Sequence, residues 1–337
     1  MMEFGTIKKI DCTQTKECDL LRKYLANHAL DYEDNIDIAI GVFDDNSTLR
    51  GCGCAAGKVL KCFAIDDELR GQNLMGILIS QLIQDRFSKK IYDLMVLTRL
   101  QNKEIFCNCG FYPVVQTDHL IMLENQKDGP KRFAEALFKQ EDCGKTVGAI
   151  VMNANPFTLG HRYLVEQACA QCDVLHIFIV EEDRSFFSTE VRYRLACEAT
   201  ADLPQVRVHM GGPYMISSAT FPKYFLKADE DSVSLQCELD IKLFAESLAP
   251  VLHITKRFAG TEPFDVTTAR YNAKMAELLP QYGISFCEVM RMERAGHPIS
   301  ASCVRKFAAS SNTFSQALSL VPKATRDYLI RLQEEQA

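Results

Sequence analysis

Apolar and polar positions follow two rhythms along this chain, and the change between them divides it. Up to about residue 125 the apolar runs are short and separated by turn residues. Leu20, Leu21, Tyr24 and Leu25 recur at helical spacing and predict a helix over residues 17–29. Residues 36–43 and 49–65 read as successive antiparallel strands around turns at 44–46 and Gly57, followed by an apolar helix over 77–87. A strand over 92–98, a short helix from Asn102 and a last strand over 119–123 complete this half. Beyond residue 142 buried-looking runs alternate with amphipathic ones, as a parallel α/β sheet requires. Strands are expected at 147–152, 174–180, 206–210, 253–258 and 284–290, with helices over 189–199, 239–248 and 268–279 between them.

The join is polar and turn-prone from Glu124 to Gly129, and an amphipathic helix over 131–139 follows it. The expected organisation is therefore a domain over 1–125, a linker helix over 126–141 and a second domain over 142–337. At 337 residues each half is large enough for its own core. A hydrophobic content of 47% with 24% charged residues is that of a globular protein, and a net charge of −6 argues against a nucleic-acid surface. No apolar run approaches the length of a membrane helix. Fourteen cysteines without a framework spacing read as reduced thiols of a cytoplasmic protein. The pairs Cys52/Cys54, Cys107/Cys109 and Cys169/Cys172 have no matching Cys/His pair at zinc-binding distance, so packing is the expected role and no metal site is assigned.

Chemistry concentrates in two stretches. The first runs from Val147 to Val165: a β-branched run, the turn Asn153-Ala-Asn-Pro156, then Phe157-Thr-Leu-Gly-His161 leading into a helix. A strand, a tight loop and a helix start aim backbone N–H groups and the positive end of a helix dipole at one spot, which suits phosphate. Thr158 can cap the helix and donate to an oxygen, Gly160 lets a ligand approach the backbone, and His161 can reach a phosphate. The second stretch is Gly296-His-Pro-Ile-Ser-Ala-Ser-Cys-Val-Arg-Lys306, where Ser300 and Ser302 stand at another helix start with Arg305 on its first turn. Arg192, on the helix after the second strand, is a weaker candidate for a phosphate or substrate contact.

The string Asn153-x-Asn-Pro-Phe-Thr-x-Gly-His161 resembles the Thr/His-x-Gly-His signature of the nucleotidyltransferase superfamily, and Ile299-Ser-Ala-Ser-Cys-Val-Arg305 resembles that superfamily's Ile-Ser-Ser-Thr-x-x-Arg segment. The resemblance implies a Rossmann-like domain with a parallel sheet that binds ATP and directs attack onto its α-phosphate. It implies nucleotide binding by Asn153, Asn155, Pro156, Phe157, Thr158, Gly160 and His161, with Ser300, Ser302 and Arg305 on the leaving pyrophosphate. His161, Thr158 and Arg305 carry the catalytic assignment, and magnesium is implied by the nucleotide.

The first half resembles the GNAT-type N-acetyltransferases through the strand ending at Ile65, Leu69-Arg-Gly-Gln72, and Asn102 with Gly110-Phe111. In that family an Arg-Gly-x-Gly-x-Gly loop grips the pyrophosphate of acetyl-CoA. Here Asn73 and Met75 replace the two later glycines, and Gly76 stands one place late. Together the halves resemble the citrate lyase ligase family, a likeness that extends to Tyr214–Phe225, Gly260–Phe264 and Tyr271-Asn272. That resemblance implies acetate, ATP, an acetyl-adenylate and transfer of the acetyl group to the thiol of the citrate lyase acyl-carrier protein. The carrier's CoA-like prosthetic arm is then expected on Arg70, Gly71, Gln72 and Asn73, and acetate near Lys223 and Lys227 of the 220–227 loop. Two alternatives share parts of the pattern: an adenylyltransferase acting on a phosphate ester of the phosphopantetheine type, and an N-acetyltransferase with a nucleotide-binding regulatory domain.

Overall fold

The computed structural model describes residues 5–181, 186–216, 221, 224–226, 231–263, 265–294 and 296–336. The chain forms two compact units, one of Met1–Gly129 with Pro222–Leu235 and one of Pro130–Phe221 with Gln236–Ala337.

In the first unit the elements run β1 (Thr6–Ile10), α1 (Thr15–Asn27), β2 (Ile38–Phe43), β3 (Leu49–Ala56), β4 (Val59–Ile65), α2 (Leu74–Ser88), β5 (Met95–Arg99), α3 (Lys103–Cys107), β6 (Tyr112–Gln116) and β7 (Leu120–Glu124). The strands form one seven-stranded sheet in the order β1-β2-β3-β4-β5-β7-β6. Every pairing is antiparallel except β4 with β5. Leu74, Leu78 and Leu82 of α2 pack with Val96, Phe106, Phe111 and Ile121 into its core. The hydrophobic pattern misses β1 and β6, and both are the edge strands. Only Ile10 of β1 and Val115 of β6 are buried, and Pro113 lies within β6, so neither presents an alternating apolar face.

The parallel pair is short. Val59 faces Met95 and Leu60 faces Val96, after which no further pairing joins β4 to β5. Cys62 takes a left-handed conformation at φ 53° within an irregularity of the β3/β4 register. Tyr224 occupies the neighbourhood of this gap. Its hydroxyl donates to the Leu97 carbonyl at 3.5 Å, and its own carbonyl accepts from the Asp31 N–H at 2.9 Å. Arg99 donates to the Phe225 carbonyl at 2.8 Å. Residues 222–235 therefore belong to the first unit, whereas the sequence pattern places them in a domain over 142–337. The cause is burial of Tyr224 and Phe225 against strands more than a hundred residues away, which no local periodicity records. Thr220, Lys223 and Lys227 of the 220–227 loop lie outside the described residues.

The second unit begins in α4 (Gly129–Leu137), the helix expected as a linker. It is packed rather than free, with Ala134 fully buried and the Phe133 ring 5.5 Å from that of Tyr214. There follow β8 (Val147–Met152), α5 (Leu159–Cys169), β9 (Val174–Ile179), α6 (Thr189–Ala199), β10 (Val206–Met210) and α7 (Ser232–Leu243), of which the second unit holds the part from Gln236 on. The chain ends in β11 (Ile254–Gly260), α8 (Val266–Leu278), β12 (Ser285–Val289), α9 (Ala301–Ala308), α10 (Phe314–Ser319) and α11 (Lys323–Gln336). The strand order β10-β9-β8-β11-β12 is parallel throughout. Successive strands are added on one side of β8 and then on the other, so the order reverses between β8 and β11. A doubly wound sheet leaves its ligand crevice at such a switch point, beyond the strands' C-terminal ends. No helix among the described residues is long and apolar enough to cross a membrane.

Removing the Tyr224 hydroxyl takes away the donor to the Leu97 carbonyl. Tyr224→Phe should cost about 1 kcal/mol and Tyr224→Ala about 3–5 kcal/mol of the first unit's stability. Urea unfolding followed by circular dichroism measures both, and equal stability of all three proteins would contradict the gap-filling role.

Candidate active site

Thr158 is extended, and its side chain caps α5 by accepting the His161 N–H at 3.3 Å. His161 reciprocates: its ring Nδ1 accepts the Thr158 N–H at 3.0 Å. A nitrogen that accepts a backbone N–H carries no hydrogen, so the ring proton of neutral His161 is on Nε2, which is then a donor. Burial, helped by the charge of Arg291, lowers the His161 pKa from 6.5 to about 4, so the ring is neutral at pH 7. The second motif repeats the device. Ser300 caps α9 by accepting the Cys303 N–H at 3.2 Å, and its hydroxyl is 3.0 Å from that of exposed Ser302.

The two motifs meet. A Cβ on Gly160 would stand 2.8 Å from the Ile299 carbonyl oxygen, nearer than two such atoms approach, so the first turn of α5 lies against the residue before Ser300. Arg305, half-buried, donates to the Asn155 carbonyl. Gly160 is thus required by the chain's own backbone, a constraint the sequence does not show. The result is two helix N-termini side by side at the switch point, with a neutral imidazole donor and a guanidinium beside them.

Several residues of the expected nucleotide loop do another job. Phe157 is fully buried in the second unit's core, and Pro156 is buried too, so neither side chain is open to a ligand. Thr158 is 1% exposed and its hydroxyl is engaged with His161, so it serves as the cap rather than as an open donor. The Asn155 side chain accepts the Phe187 N–H at 3.1 Å and shapes the loop, whereas Asn153 is exposed. Arg192 is fully buried among carbonyls, which removes it from the candidates for phosphate contact.

Arg291 is the residue the sequence reading missed. It stands just past β12, its N–H bonds the Thr261 hydroxyl at 3.1 Å, and its guanidinium pairs with buried Glu262. Its charge acts on His161. An arginine just beyond a parallel strand's C-terminal end was the available signal. Nearby, Asn272 donates to the Gly260 carbonyl at 2.9 Å and to Glu288 at 2.8 Å. Tyr271 donates to buried Asp240, which also accepts the Ile216 N–H at 2.7 Å. Asn272 thus ties α8 to the ends of β11 and β12, and Tyr271 ties it to α7.

In the first unit Arg70 is exposed and pairs with Asp67 at 2.6 Å, Gly71 has φ 84°, and Asn73 is left-handed at φ 57°. Asn73 precedes α2, and its Oδ1 lies where a Cβ on Gly76 would come within 2.6 Å. The displaced glycine therefore accommodates the asparagine. The Gln72 Oε1 is buried without a hydrogen-bond partner. Glu182, Asp183 and Arg184, at the end of β9, lie outside the described residues. Among the described residues no three His, Cys, Asp or Glu side chains gather as metal ligands, and the cysteines are free.

A family profile described as the citrate lyase ligase C-terminal domain matches residues 147–329, the span that holds both helix starts. A citrate (pro-3S)-lyase ligase of Klebsiella pneumoniae is 40% identical over 323 residues, covering 94% of each chain. This chain belongs to the citrate lyase ligase family. The chain is also similar to two solved structures. An acyl-CoA N-acyltransferase from Pseudomonas aeruginosa is 14% identical and covers 36% of this chain and 97% of its own, with a TM-score of 0.29. A Thermotoga maritima TmcAL bound with alpha-thio ATP is 15% identical and covers 56% of each chain, with a TM-score of 0.36.

Two tests follow from this geometry. Gly160→Ala should push α5 from Ile299 and lower nucleotide affinity at least about tenfold while the sheet stays folded; calorimetric titration with ATP reads it. Burial also lowers His176 to about 3 and His209 to about 4, where the two rings share a 2.9 Å hydrogen bond. Folded pKa values below the unfolded one favour the neutral form. Their stabilisation is complete above pH 6.5 and is lost as pH falls from there toward 4, by up to about 1.4 kcal/mol per pH unit for each histidine. Urea midpoints at pH 7.5 and about pH 5 should differ in that direction, and His176→Gln should flatten the dependence.

Proposed function

We propose that this protein is an AMP-forming acid–thiol ligase that activates acetate with ATP and acetylates the thiol arm of the citrate lyase acyl-carrier protein. The observation that carries the reading is the union of the two capped helix starts through Gly160 and Ile299, with His161 neutral beside them. Phosphoryl chemistry needs positioning and charge neutralisation more than covalent participation by the protein. An acetate oxygen attacks the α-phosphorus of ATP, and the bond to the bridging oxygen of pyrophosphate breaks. Nε2–H of His161 donates to the α-phosphate as charge builds on it, while the α5 N-terminus adds its dipole. A neutral imidazole donates this hydrogen bond without first needing a proton from solution, so the step has no requirement for acid pH.

Ser300, Ser302 and Arg305 are assigned to the leaving pyrophosphate, and Arg291 to the phosphate chain, which would draw it from Glu262. Magnesium enters as part of the substrate, Mg·ATP, held by phosphate oxygens. The carrier's thiolate then attacks the acetyl carbonyl, the C–O bond to phosphate breaks, and AMP leaves with both electrons of that bond. Arg70 to Asn73, at the start of α2, are assigned to the carrier's CoA-like arm, whose pyrophosphate suits a helix N-terminus. Work in the cytoplasm fits fourteen free thiols.

Acetate-dependent ATP–pyrophosphate exchange, without the carrier, tests the first step. Wild type should exchange, His161→Ala should lose about 10²–10³-fold in kcat, and Arg291→Ala about tenfold. Exchange that follows phosphopantetheine instead of acetate would replace this reading with that of an adenylyltransferase.

A further inference from the structure

Arg192 has no exposed surface, and its guanidinium makes five hydrogen bonds to described residues. Nη1 reaches the Asn153 carbonyl at 2.7 Å, the Asn153 side-chain oxygen at 2.8 Å and the Val180 carbonyl at 2.8 Å. Nε reaches the Phe187 carbonyl at 3.1 Å and Nη2 the Thr189 hydroxyl at 2.8 Å. Asn153 is the first residue past β8, Val180 the first past β9, and Thr189 opens α6. One planar group thus ties the C-terminal ends of two neighbouring strands to the start of the next helix.

The ties form a ring around the nucleotide loop. Phe187, whose carbonyl Arg192 holds, gives its own N–H to the Asn155 side chain at 3.1 Å. Asn155 and Asn153 flank Ala154, which is left-handed at φ 49°. A left-handed alanine costs on the order of 1 kcal/mol and persists only where its neighbours are fixed. On the far side the Phe187 ring is buried in one cluster with Val304 of α9, and Arg305 of that helix holds the Asn155 carbonyl. The loop is therefore gripped from two sides, by a fully buried arginine and by a half-buried one.

We propose that Arg192 is a positioning residue for nucleotide chemistry: it fixes Asn153 to Asn155 so that Thr158 and His161 keep their aim when Arg305 turns to the phosphates. The inference rests on the ligase reading for its assay and for the role of Arg305. Arginine is required because its fork spans acceptors on three segments at once, whereas a lysine ammonium radiates from a single atom. Direct phosphate contact is incompatible with the geometry, since a phosphate would have to displace the carbonyls that already surround the group.

The test compares Arg192→Lys and Arg192→Met with wild type in the full chain, measuring exchange kcat, ATP Kd by calorimetry with its salt dependence, and Tm. Both variants should lose about 10–100-fold in kcat, lysine no better than methionine, while ATP Kd stays within about threefold. Arg192→Lys retaining half of the wild-type kcat would overturn the proposal. So would a loss carried by Kd with a shallower salt dependence, the signature of a residue that touches phosphate. If neither variant folds, Asn153→Ala leaves Arg192 in place and removes one of its acceptors. It should lower kcat by about three- to tenfold with Kd unchanged, and an unchanged kcat or a loss confined to Kd overturns the inference. Failure of wild type to exchange with acetate counts against the ligase reading alone; the ratio of variant to wild type, on the acid that does exchange, still decides Arg192.

Discussion

The contact between Gly160 and the Ile299 carbonyl is the constraint on which the second unit's chemistry depends. Two helix N-termini repel each other through their aligned positive ends, and the bond from Arg305 to the Asn155 carbonyl links the two motifs against that repulsion. The rest of the hold is packing behind the site. Val304 of α9, Ala317 of α10, Val321, Leu329 of α11 and Phe187 form one buried cluster, and the Leu159 N–H bonds the Leu320 carbonyl at 2.9 Å. The energy of apolar burial thus offsets the electrostatic cost of bringing the two positive ends together. The absent side chain at Gly160 sets how near the two ends come.

Three arginines at this site show how environment decides the use of one side chain. Arg192 is surrounded by carbonyls and organises backbone; Arg305 is half-buried and bonds the same turn from its other face; Arg291 is paired with a buried carboxylate. A guanidinium held by several acceptors deep in the fold cannot leave them cheaply, whereas one near the surface exchanges its partner for a phosphate at little desolvation cost. On the function proposed, the division between scaffold and ligand contact follows burial, not residue type.

The first unit carries a different lesson. The parting of β4 from β5 exposes backbone groups that an extended ligand or another chain segment could satisfy. In this protein Tyr224 and Phe225, supplied from 160 residues beyond Ala64, meet the Leu97 carbonyl, the Arg99 guanidinium and the Asp31 N–H. The fold accepts a discontinuous segment because the aromatic side chains bury as well there as in any core, and their polar atoms find partners.

Much of this was legible in the sequence, and the limits are physical. The parallel strands of the second unit, the start of α6 at Thr189 and the caps at Thr158 and Ser300 follow from local periodicity and capping chemistry, which act over a few residues. The motif strings were enough to point to the family. Edge strands β1 and β6 escaped because a strand with one paired side need not alternate. Tertiary structure alone decided that Gly160 answers to Ile299, that Phe157 and Pro156 belong to the core, that Arg192 faces inward, and that Tyr224 joins the first unit. Each of these depends on which distant atoms arrive at one place, and a side chain's neighbours across space leave no mark on its neighbours along the chain.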